Sequence, residues 1–242
     1  MIESLFSMQG KVCLITGGSR GLGAFMAQGF LEAGAERVYI TARKAAPCLE
    51  AAEALSQFGD CVALPGDIST TEGLIELVAE LNQRESHLDV LVNNAGTAWA
   101  ASFGQVPEVG WDKVMDLNVK TPFFLTQALL GLLREGGSAD NCASVVNIGS
   151  IAGIIGDGFL NYSYGPSKAA IHQLTRNLAK DLAEQHIRVN AIAPGSILTE
   201  GTRQLFYGED GTFRDSVNRM LAHIPLGRPG TVEEVAHAAL FL

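Results

Sequence analysis

The chain has 242 residues, of which 47% are hydrophobic, so it can bury a sizeable core, and α/β chains of this length commonly form one domain. Its 26 acidic residues outnumber its 17 basic residues, which gives a formal net charge of −9. The sequence has no Lys/Arg run, no apolar stretch of about 18 residues and no basic-then-apolar leader, so it predicts no nucleic-acid partner, no membrane partner and no secretion.

Short runs rich in Val, Ile and Leu alternate along the chain with longer amphipathic segments. The apolar runs predict buried strands at 11–16, 37–41, 61–64, 88–93, 143–148 and 187–193. The amphipathic segments predict helices at 23–33, 47–58, 71–86, 107–133 and 163–186. This alternation predicts right-handed βαβ crossovers and one α/β domain over residues 1–242: a Rossmann-type, doubly wound parallel sheet with helices on both faces.

The segment 231–242 predicts a last helix, with Thr231 as N-cap and with Glu233 and Glu234 in the first turn. It ends on Ala-Leu-Phe-Leu with no strand after it. We therefore expect the domain to lack its C-terminal strand.

Cysteine and histidine residues form no pattern typical of a metal site. The spacing of the four cysteines is not that of metal ligands, and none of the five histidines pairs with a second ligand at ligand spacing. Cys13 and Cys61 lie in apolar runs, where we expect small buried side chains. Reduced thiols favour a cytoplasmic location.

A glycine-rich turn, Thr16-Gly-Gly-Ser-Arg-Gly-Leu-Gly23, joins the first predicted strand to the first predicted helix. Gly17 permits a tight turn, Gly21 lets the backbone approach a pyrophosphate, and Gly23 lets the helix pack closely on the strand. Backbone amides and the helix dipole would then hold the phosphates. Taken alone, such a turn is compatible with a plain loop, but its place between strand and helix favours dinucleotide binding.

Tyr164 and Lys168 are four residues apart in the predicted helix 163–186, so their side chains share one face. A nearby ammonium stabilises a phenolate and lowers a phenol pKa that starts near ~10, which makes the phenol a proton donor near neutrality. The alternative is a solvated helical face, since this spacing is common. Tyr162 has no such partner, because position 166 is a proline.

Charge near the end of the second predicted strand predicts the choice of cofactor. NAD-type sites place an acid there to bind the ribose 2′-hydroxyl, whereas residues 39–44 contain no acid. Ala42 stands where the acid would be, and Arg43 and Arg20 can meet a 2′-phosphate. We therefore expect NADP(H) as the cofactor.

These motifs resemble, over almost the whole chain, those of the short-chain dehydrogenase/reductase family. Besides the glycine turn and the Tyr164–Lys168 pair, the matching segments are Asp67 after the third strand, Asn93-Asn-Ala-Gly96, Leu117-Asn-Val119, Asn147-Ile-Gly-Ser150 and Ala193-Pro-Gly-Ser-Ile-Leu-Thr199. The sequence is also similar to the family's branch of 3-oxoacyl-(acyl-carrier-protein) reductases. Family members usually continue into a last strand with an Asp-Gly-Gly ending, which is absent here.

The residues and the resemblance together give a catalytic set and a cofactor-binding set, with no metal. The catalytic set is Asn118, Ser150, Tyr164 and Lys168. The cofactor-binding set is Gly17, Ser19, Arg20, Gly21, Leu22, Gly23, Arg43, Asp67, Ile68, Asn94, Ala95, Gly96, Tyr164, Lys168, Pro194, Gly195, Ile197 and Thr199.

The resemblance implies reduction of a small-molecule carbonyl by NADPH, with Tyr164 donating the proton to the carbonyl oxygen. Ser150 would hold that oxygen, Lys168 would bind the ribose and favour the tyrosinate, and Asn118 would order a water. Two alternatives stay open: an NADP+-dependent alcohol dehydrogenase acting on a sugar or steroid-like substrate, and a non-catalytic NADP(H)-binding regulator.

An apolar insertion at 199–226 predicts a lid over the substrate. Its apolar residues are Leu205, Phe206, Tyr207, Phe213, Met220 and Leu221, and further candidates for apolar walls are Trp99, Ile154, Ile155, Phe159 and Leu160. This composition predicts a medium-sized, largely apolar ketone, with 3-oxoacyl thioesters among the candidates.

The two longest predicted helices, 107–133 and 163–186, predict self-association. The first carries more apolar residues than one contact with the sheet requires: Phe123, Phe124, Leu125, Leu129, Leu130, Leu132 and Leu133. In the family these helices pair across a two-fold axis into a four-helix bundle. We therefore expect a homodimer or homotetramer.

Overall fold

The computed structural model describes residues 6–156 and 160–242. Within them, one sheet of six parallel strands runs through the protein in the order β3-β2-β1-β4-β5-β6. The strands are β1 (Val12–Thr16), β2 (Arg37–Thr41), β3 (Cys61–Ala63), β4 (Val90–Asn93), β5 (Ala143–Ile148) and β6 (Ile187–Ile192). The strand order reverses between β1 and β4, which opens a crevice beyond their carboxyl ends, where such folds bind ligands.

Helices cover both faces of this sheet, which confirms the predicted Rossmann-type fold. They are α1 (Gly21–Glu32), α2 (Ala45–Leu55), α3 (Thr71–Arg84), α4 (Glu108–Met115), α5 (Thr121–Ala128), α6 (Leu130–Gly136), α7 (Tyr164–Leu182), α8 (Glu200–Phe206), α9 (Asp215–Leu221) and α10 (Val232–Phe241). α2 begins two residues before its predicted start, because Pro47 is tolerated in a first turn, where its missing N–H would have no helical partner.

The two faces of the sheet carry separate apolar cores, since successive strand residues point to opposite sides. In β1, Cys13 and Ile15 pack on the side of α1, α2 and α10. Val12 and Leu14 pack on the opposite side with α3, α5 and α6. As expected, Cys13 is fully buried, and Cys61 is 8% exposed, with burial as the main cause that raises the pKa of its thiol to about 12.

The prediction of one continuous helix over 107–133 is wrong. The segment contains α4, a wide π-helical turn at Asp116–Lys120, and then α5 and α6. Pro122 has no backbone N–H, so it cannot bond to the carbonyl of Asn118, and the ladder shifts instead to a bond from Thr121 N to Asp116 O. Asn118 therefore lies inside an irregular turn.

The other helices end close to their predicted bounds. α7 ends at Leu182 rather than at residue 186, because a 3₁₀ turn follows and His186 takes a left-handed conformation with φ of 57°. Thr231 is the N-cap of α10, as predicted: its hydroxyl accepts from Glu234 N, while Glu234 Oε2 accepts from Thr231 N at 2.8 Å. Hydrogen bonds from Arg228 and from Thr231 N hold the pKa of Glu234 at about 2. A strand missing after α10 stays a prediction.

Across residues 6–156 and 160–242, no helix combines the length and the apolarity that crossing a membrane requires.

Candidate active site

The glycine turn between β1 and α1 has the close approaches expected for a phosphate-binding loop. Gly17 and Gly21 adopt positive φ angles of 66° and 56°. A Cβ placed on Gly23 would lie 2.3 Å from Gly17 O, so only glycine fits there. Gly21 has only Thr199 within 4 Å of such an atom, which leaves open space above the turn. Ser19 is half-buried, and Leu22 packs partly against the core.

The first turn of α1 is electrostatically suited to an anion. Arg20 occupies the N-cap position without a side-chain cap, and no acidic residue lies in the first turn. The free amide groups and the positive end of the helix dipole therefore remain available to a phosphate.

The loop after β4 is fixed to this glycine turn. Thr16 Oγ1 accepts hydrogen bonds from Asn94 N at 3.0 Å and from Ala95 N at 2.9 Å. Asn94 Nδ2 donates to Thr16 O at 2.8 Å and to Gly17 O at 3.1 Å. The side chain of Asn94, predicted to bind cofactor, thus also shapes the turn that would bind it.

Arg20 and Arg43 are exposed and flank the crevice at the ends of β1 and β2. Neither guanidinium group forms a hydrogen bond or an ion pair with any residue in the described part of the chain. Ala42 is half-buried beside them. Two guanidinium groups that form no ion pair among the described residues suit a ribose 2′-phosphate.

Lys168 points from α7 into the protein interior, where it is only 5% exposed. Its Nζ donates to Ile148 O at 2.7 Å, at the carboxyl end of β5. Nζ also lies 5.6 Å from the ring centroid of Tyr164, which is half-buried one turn earlier. Burial lowers the pKa of Lys168 to about 8. The structure therefore brings the predicted pair together at the ends of the strands.

Asn118 reaches the same place from the π turn. Its Oδ1 accepts from Thr97 N at 2.8 Å, and its Nδ2 donates to Thr97 O at 2.9 Å and to Ser167 Oγ at 3.0 Å. A Cβ placed on Gly96 would lie 3.3 Å from Asn118 Oδ1 and 3.6 Å from Lys168 Nζ. The side chains of Asn118 and Lys168, both predicted to be catalytic, therefore lie next to each other at Gly96.

Ser150 follows β5 and begins a 3₁₀ turn at Ile151–Gly153. Its hydroxyl accepts from Ala152 N at 3.1 Å, which caps that turn and fixes the side chain. Ile151 N donates to Pro194 O at 3.1 Å, which joins this loop to the segment predicted to contact nicotinamide. The loop with Ser150 therefore lies between α7 and the segment after β6.

The remaining cofactor candidates lie on loops around this edge. Asp67 Oδ1 accepts from Ser69 N at 3.1 Å, and Ile68 is buried below it. After β6, Gly195 is exposed and Ile197 pairs with Gly230. Thr199 caps α8, because its Oγ1 accepts from Thr202 N at 3.1 Å.

The predicted lid contains α8 and α9, whose apolar residues pack mainly on one another. Phe206, Val217 and Leu221 form a small core of their own, and Tyr207 stacks on Phe213 with ring centroids 4.8 Å apart. The side chain of Leu205 and all of Phe159 lie outside the described part of the structure. The lid role stays a prediction.

Of the predicted apolar walls, Ile154, Ile155 and Leu160 are exposed beside a groove of about 640 Å³ that runs along the start of α7. Trp99 packs elsewhere, because its ring covers Gly110 on α4 and lies 5.6 Å from Lys113 Nζ. Over residues 6–156 and 160–242 there is no cluster of His, Cys, Asp or Glu suited to a metal ion.

Two contributors to this geometry were not predicted from the sequence. Ser167 bridges Asn118 and α7, and Thr16 holds the loop after β4. The sequence did contain a signal for Ser167, because this residue lies inside the Tyr164–Lys168 motif. Its partner is distant in the chain, and local spacing does not reveal it.

Comparison with known proteins identifies the class to which this fold and site belong. A family model described as enoyl-(acyl carrier protein) reductase matches residues 17–242. With the relatives that follow, this match shows that the chain belongs to the short-chain dehydrogenase/reductase family, a family of oxidoreductases. The resemblance inferred from the motifs is confirmed.

Particular relatives match nearly the full length of the chain. It is 50% identical over 237 residues to a rhamnolipids biosynthesis 3-oxoacyl-(acyl-carrier-protein) reductase of Pseudomonas aeruginosa, covering 98% of this chain and 90% of that protein. It is 35% identical over 242 residues to a 2-dehydro-3-deoxy-D-gluconate 5-dehydrogenase of Dickeya dadantii, covering 100% and 91% of the two chains.

Solved structures of related proteins also match nearly the full length of the chain. The RhlG/NADP active-site complex of Pseudomonas aeruginosa superposes with a TM-score of 0.92 and 48% identity, covering 98% of this chain and 91% of that chain. L-sorbose reductase of Gluconobacter frateurii, solved with NADPH and L-sorbose, has a TM-score of 0.88 and 28% identity, with coverages of 98% and 90%.

Proposed function

We propose that this protein is an NADPH-dependent reductase that converts a ketone into an alcohol. The observation that carries the proposal is the buried Lys168 ammonium, held by Ile148 O and placed beside the Tyr164 ring at the edge of the sheet where the glycine turn lies. A buried cation has a high cost unless it serves a bound group or a neighbour that benefits from its charge.

The proposed cofactor is NADP(H), which supplies the hydride when it is bound. The glycine turn and the free amides of α1 would hold its pyrophosphate, and Arg20 and Arg43 its 2′-phosphate. The RhlG structure is a complex with NADP and the sorbose reductase structure contains NADPH, which supports this choice.

The four predicted catalytic side chains would have separate roles in the reaction. Tyr164 donates the proton to the carbonyl oxygen, and Lys168 favours the resulting tyrosinate and binds the ribose. Ser150 would orient the carbonyl oxygen. Asn118 would order the water that returns a proton through Lys168.

The substrate we propose is a 3-oxoacyl thioester or a similar apolar ketone. The exposed side chains of Ile154, Ile155 and Leu160 offer apolar surface along the groove beside α7. The relative that is 50% identical is a 3-oxoacyl-(acyl-carrier-protein) reductase, which supports the same substrate class. The second relative is a sugar-acid dehydrogenase, so polar ketones form the other arm of the test.

The test follows NADPH oxidation by the purified protein with 3-oxoacyl thioesters, β-ketoesters and polar ketoses. Wild type is expected to turn over the acyl substrates, and Tyr164→Phe to lose at least about 100-fold in kcat, since a general acid contributes about 10²–10⁴-fold. Tyr162→Phe is the matched control: it keeps the ring that Tyr162 contributes to the groove and removes only the hydroxyl of this exposed tyrosine, so kcat should stay near wild type. Full activity of Tyr164→Phe would refute the assignment. Turnover of ketoses alone would refute the substrate class, and NADP(H) binding without turnover of any ketone would indicate a regulator.

We also propose a homodimer or homotetramer in the cytoplasm. A groove of about 390 Å³ lies where α4 and the π turn meet α5 and α7, and the exposed ring of Phe124 lines it. Leu125, Leu129, Leu132 and Leu133 are buried in the core, so Phe123 and Phe124 are the surplus apolar residues. Four free thiols among the described residues are compatible with a reducing compartment.

A further inference from the structure

Ser167 is completely buried between Tyr164 and Lys168 in the first turns of α7. Its hydroxyl donates to Tyr164 O at 2.7 Å, a common bond within a helix. A serine hydroxyl has one hydrogen, so toward any other group Ser167 acts as an acceptor. The second group is Asn118, whose Nδ2 lies 3.0 Å from Ser167 Oγ.

This directionality fixes the orientation of the Asn118 amide. With both Nδ2 hydrogens bound to Thr97 O and Ser167 Oγ, Oδ1 is left to accept from Thr97 N. Turning the amide over would place Oδ1 against two acceptors and Nδ2 against a donor. The buried amide is therefore fully satisfied in one orientation only, and Ser167 supplies the contact that comes from α7.

We propose that Ser167 is a positioning residue that acts through Asn118 to hold the π turn Asp116–Lys120 against the start of α7. The π turn is irregular, because Pro122 interrupts its ladder, so its place relative to α7 depends on side-chain contacts. Asn118 and Lys168 border the same point at Gly96, and a shift of the turn would change the surroundings of both. The inference rests on the proposed function, since its consequence is a rate.

The first experiment compares two serine-to-alanine changes at the start of α7. Ser167→Ala leaves one buried amide hydrogen of Asn118 without a partner, and we expect kcat to fall about 10- to 100-fold, because small displacements of reacting groups have effects of this size. The dissociation constant of NADPH should stay near that of wild type. Ser163→Ala is the matched control: Ser163 is also completely buried, but its hydroxyl has no hydrogen-bond partner in the described structure. Equal kcat losses in the two variants would overturn the proposal.

A double-mutant cycle then tests whether Ser167 acts through Asn118. In an Asn118→Ala background, Ser167→Ala should have almost no further effect on kcat or on the free energy of unfolding, because the shared contact is already lost. An equal fold loss in kcat in both backgrounds would overturn the proposal.

The unfolding measurements separate this inference from the proposed function. If wild type reduces no ketone, the proposed function fails, yet the coupling between positions 118 and 167 is still measured by thermal unfolding of the four proteins. Strong coupling there supports the contact, and independent effects of the two changes on unfolding overturn the inference.

Discussion

The Lys168 amine lies in the protein interior, where it donates a hydrogen bond to Ile148 O. Burial shifts the pKa of this lysine from 10.5 to about 8. Because the folded pKa lies below the unfolded pKa, the desolvation penalty acts fully below pH 8 and disappears as the pH rises toward 10.5. Charged Lys168 therefore lowers the stability of the fold relative to neutral Lys168. The proposed chemistry nevertheless requires the charged form.

A pH profile of kcat/KM for NADPH tests this property. We expect kcat/KM to fall as the pH rises through about 8, because the free enzyme then loses the Lys168 ammonium that would bind the ribose. Lys168→Arg is the control: a guanidinium stays charged, so the alkaline limb should disappear even if activity is lower. An unchanged limb in Lys168→Arg would assign it to another group.

Cofactor preference is a second property of individual residues. If Arg20 and Arg43 clamp the 2′-phosphate, each charge-assisted bond contributes about 1.5–3 kcal/mol, and at ~1.4 kcal/mol per decade wild type should prefer NADPH by about a hundredfold or more. Ala42→Asp combined with Arg43→Ala should bring the two cofactors close to parity, because the new carboxylate binds the ribose hydroxyl of NADH and repels the phosphate.

The measurement is kcat/KM for NADPH and for NADH with one shared ketone. The single variant Arg20→Ala measures how much the Arg20 guanidinium contributes to the preference for NADPH. A wild-type preference for NADH would refute the assignment, and a double variant that still strongly prefers NADPH would place the clamp elsewhere.

At the scale of elements, apolar runs and amphipathic segments predicted the sheet class and every strand in the described residues, because strands buried on both faces of a parallel sheet are near-continuous apolar runs. The break in the helix 107–133 was missed, although Pro122 is its direct cause. The bridge from Ser167 to Asn118 was not predictable in the same way. It joins residues 49 positions apart, and only the packing of α7 on the π turn brings them together.

The junction of β1 with α1 supports a prediction about glycines. Gly23→Ala places a methyl group 2.3 Å from Gly17 O, and since backbone cannot move aside cheaply, we expect a loss of about 1–3 kcal/mol in the free energy of unfolding together with weaker cofactor binding. Gly131→Ala in α6 is the control. Nothing lies within 4 Å of its new methyl group, and helix propensity should make it neutral or stabilising by up to about 1 kcal/mol. Chemical denaturation of both variants provides the comparison, and a stable Gly23→Ala that binds cofactor normally would contradict the packing argument.

For the whole molecule, the exposed groove between α4, α5 and α7 predicts how copies associate. Phe124→Glu puts a charge into this groove and should shift the protein toward monomers in light scattering at micromolar concentration, because an unpaired charge is costly in an apolar interface. Ile75→Glu, a change at an equally apolar and 60% exposed position on α3, should leave the assembly unchanged. Monomeric wild type, or dissociation by both variants, would contradict the proposed interface.

The π turn has a consequence for chain length. A π turn holds one residue more per turn than an α-helix, so its length sets the direction in which Asn118 points relative to α5. Deleting Val119 or Lys120 would rotate Asn118 and everything before it by about 100° relative to α5, since each residue of an α-helix turns by that angle. Asn118 would then face away from α7. Such a deletion is therefore incompatible with the site, and the number of residues between Asn118 and Pro122 is as much a part of the site as any side chain.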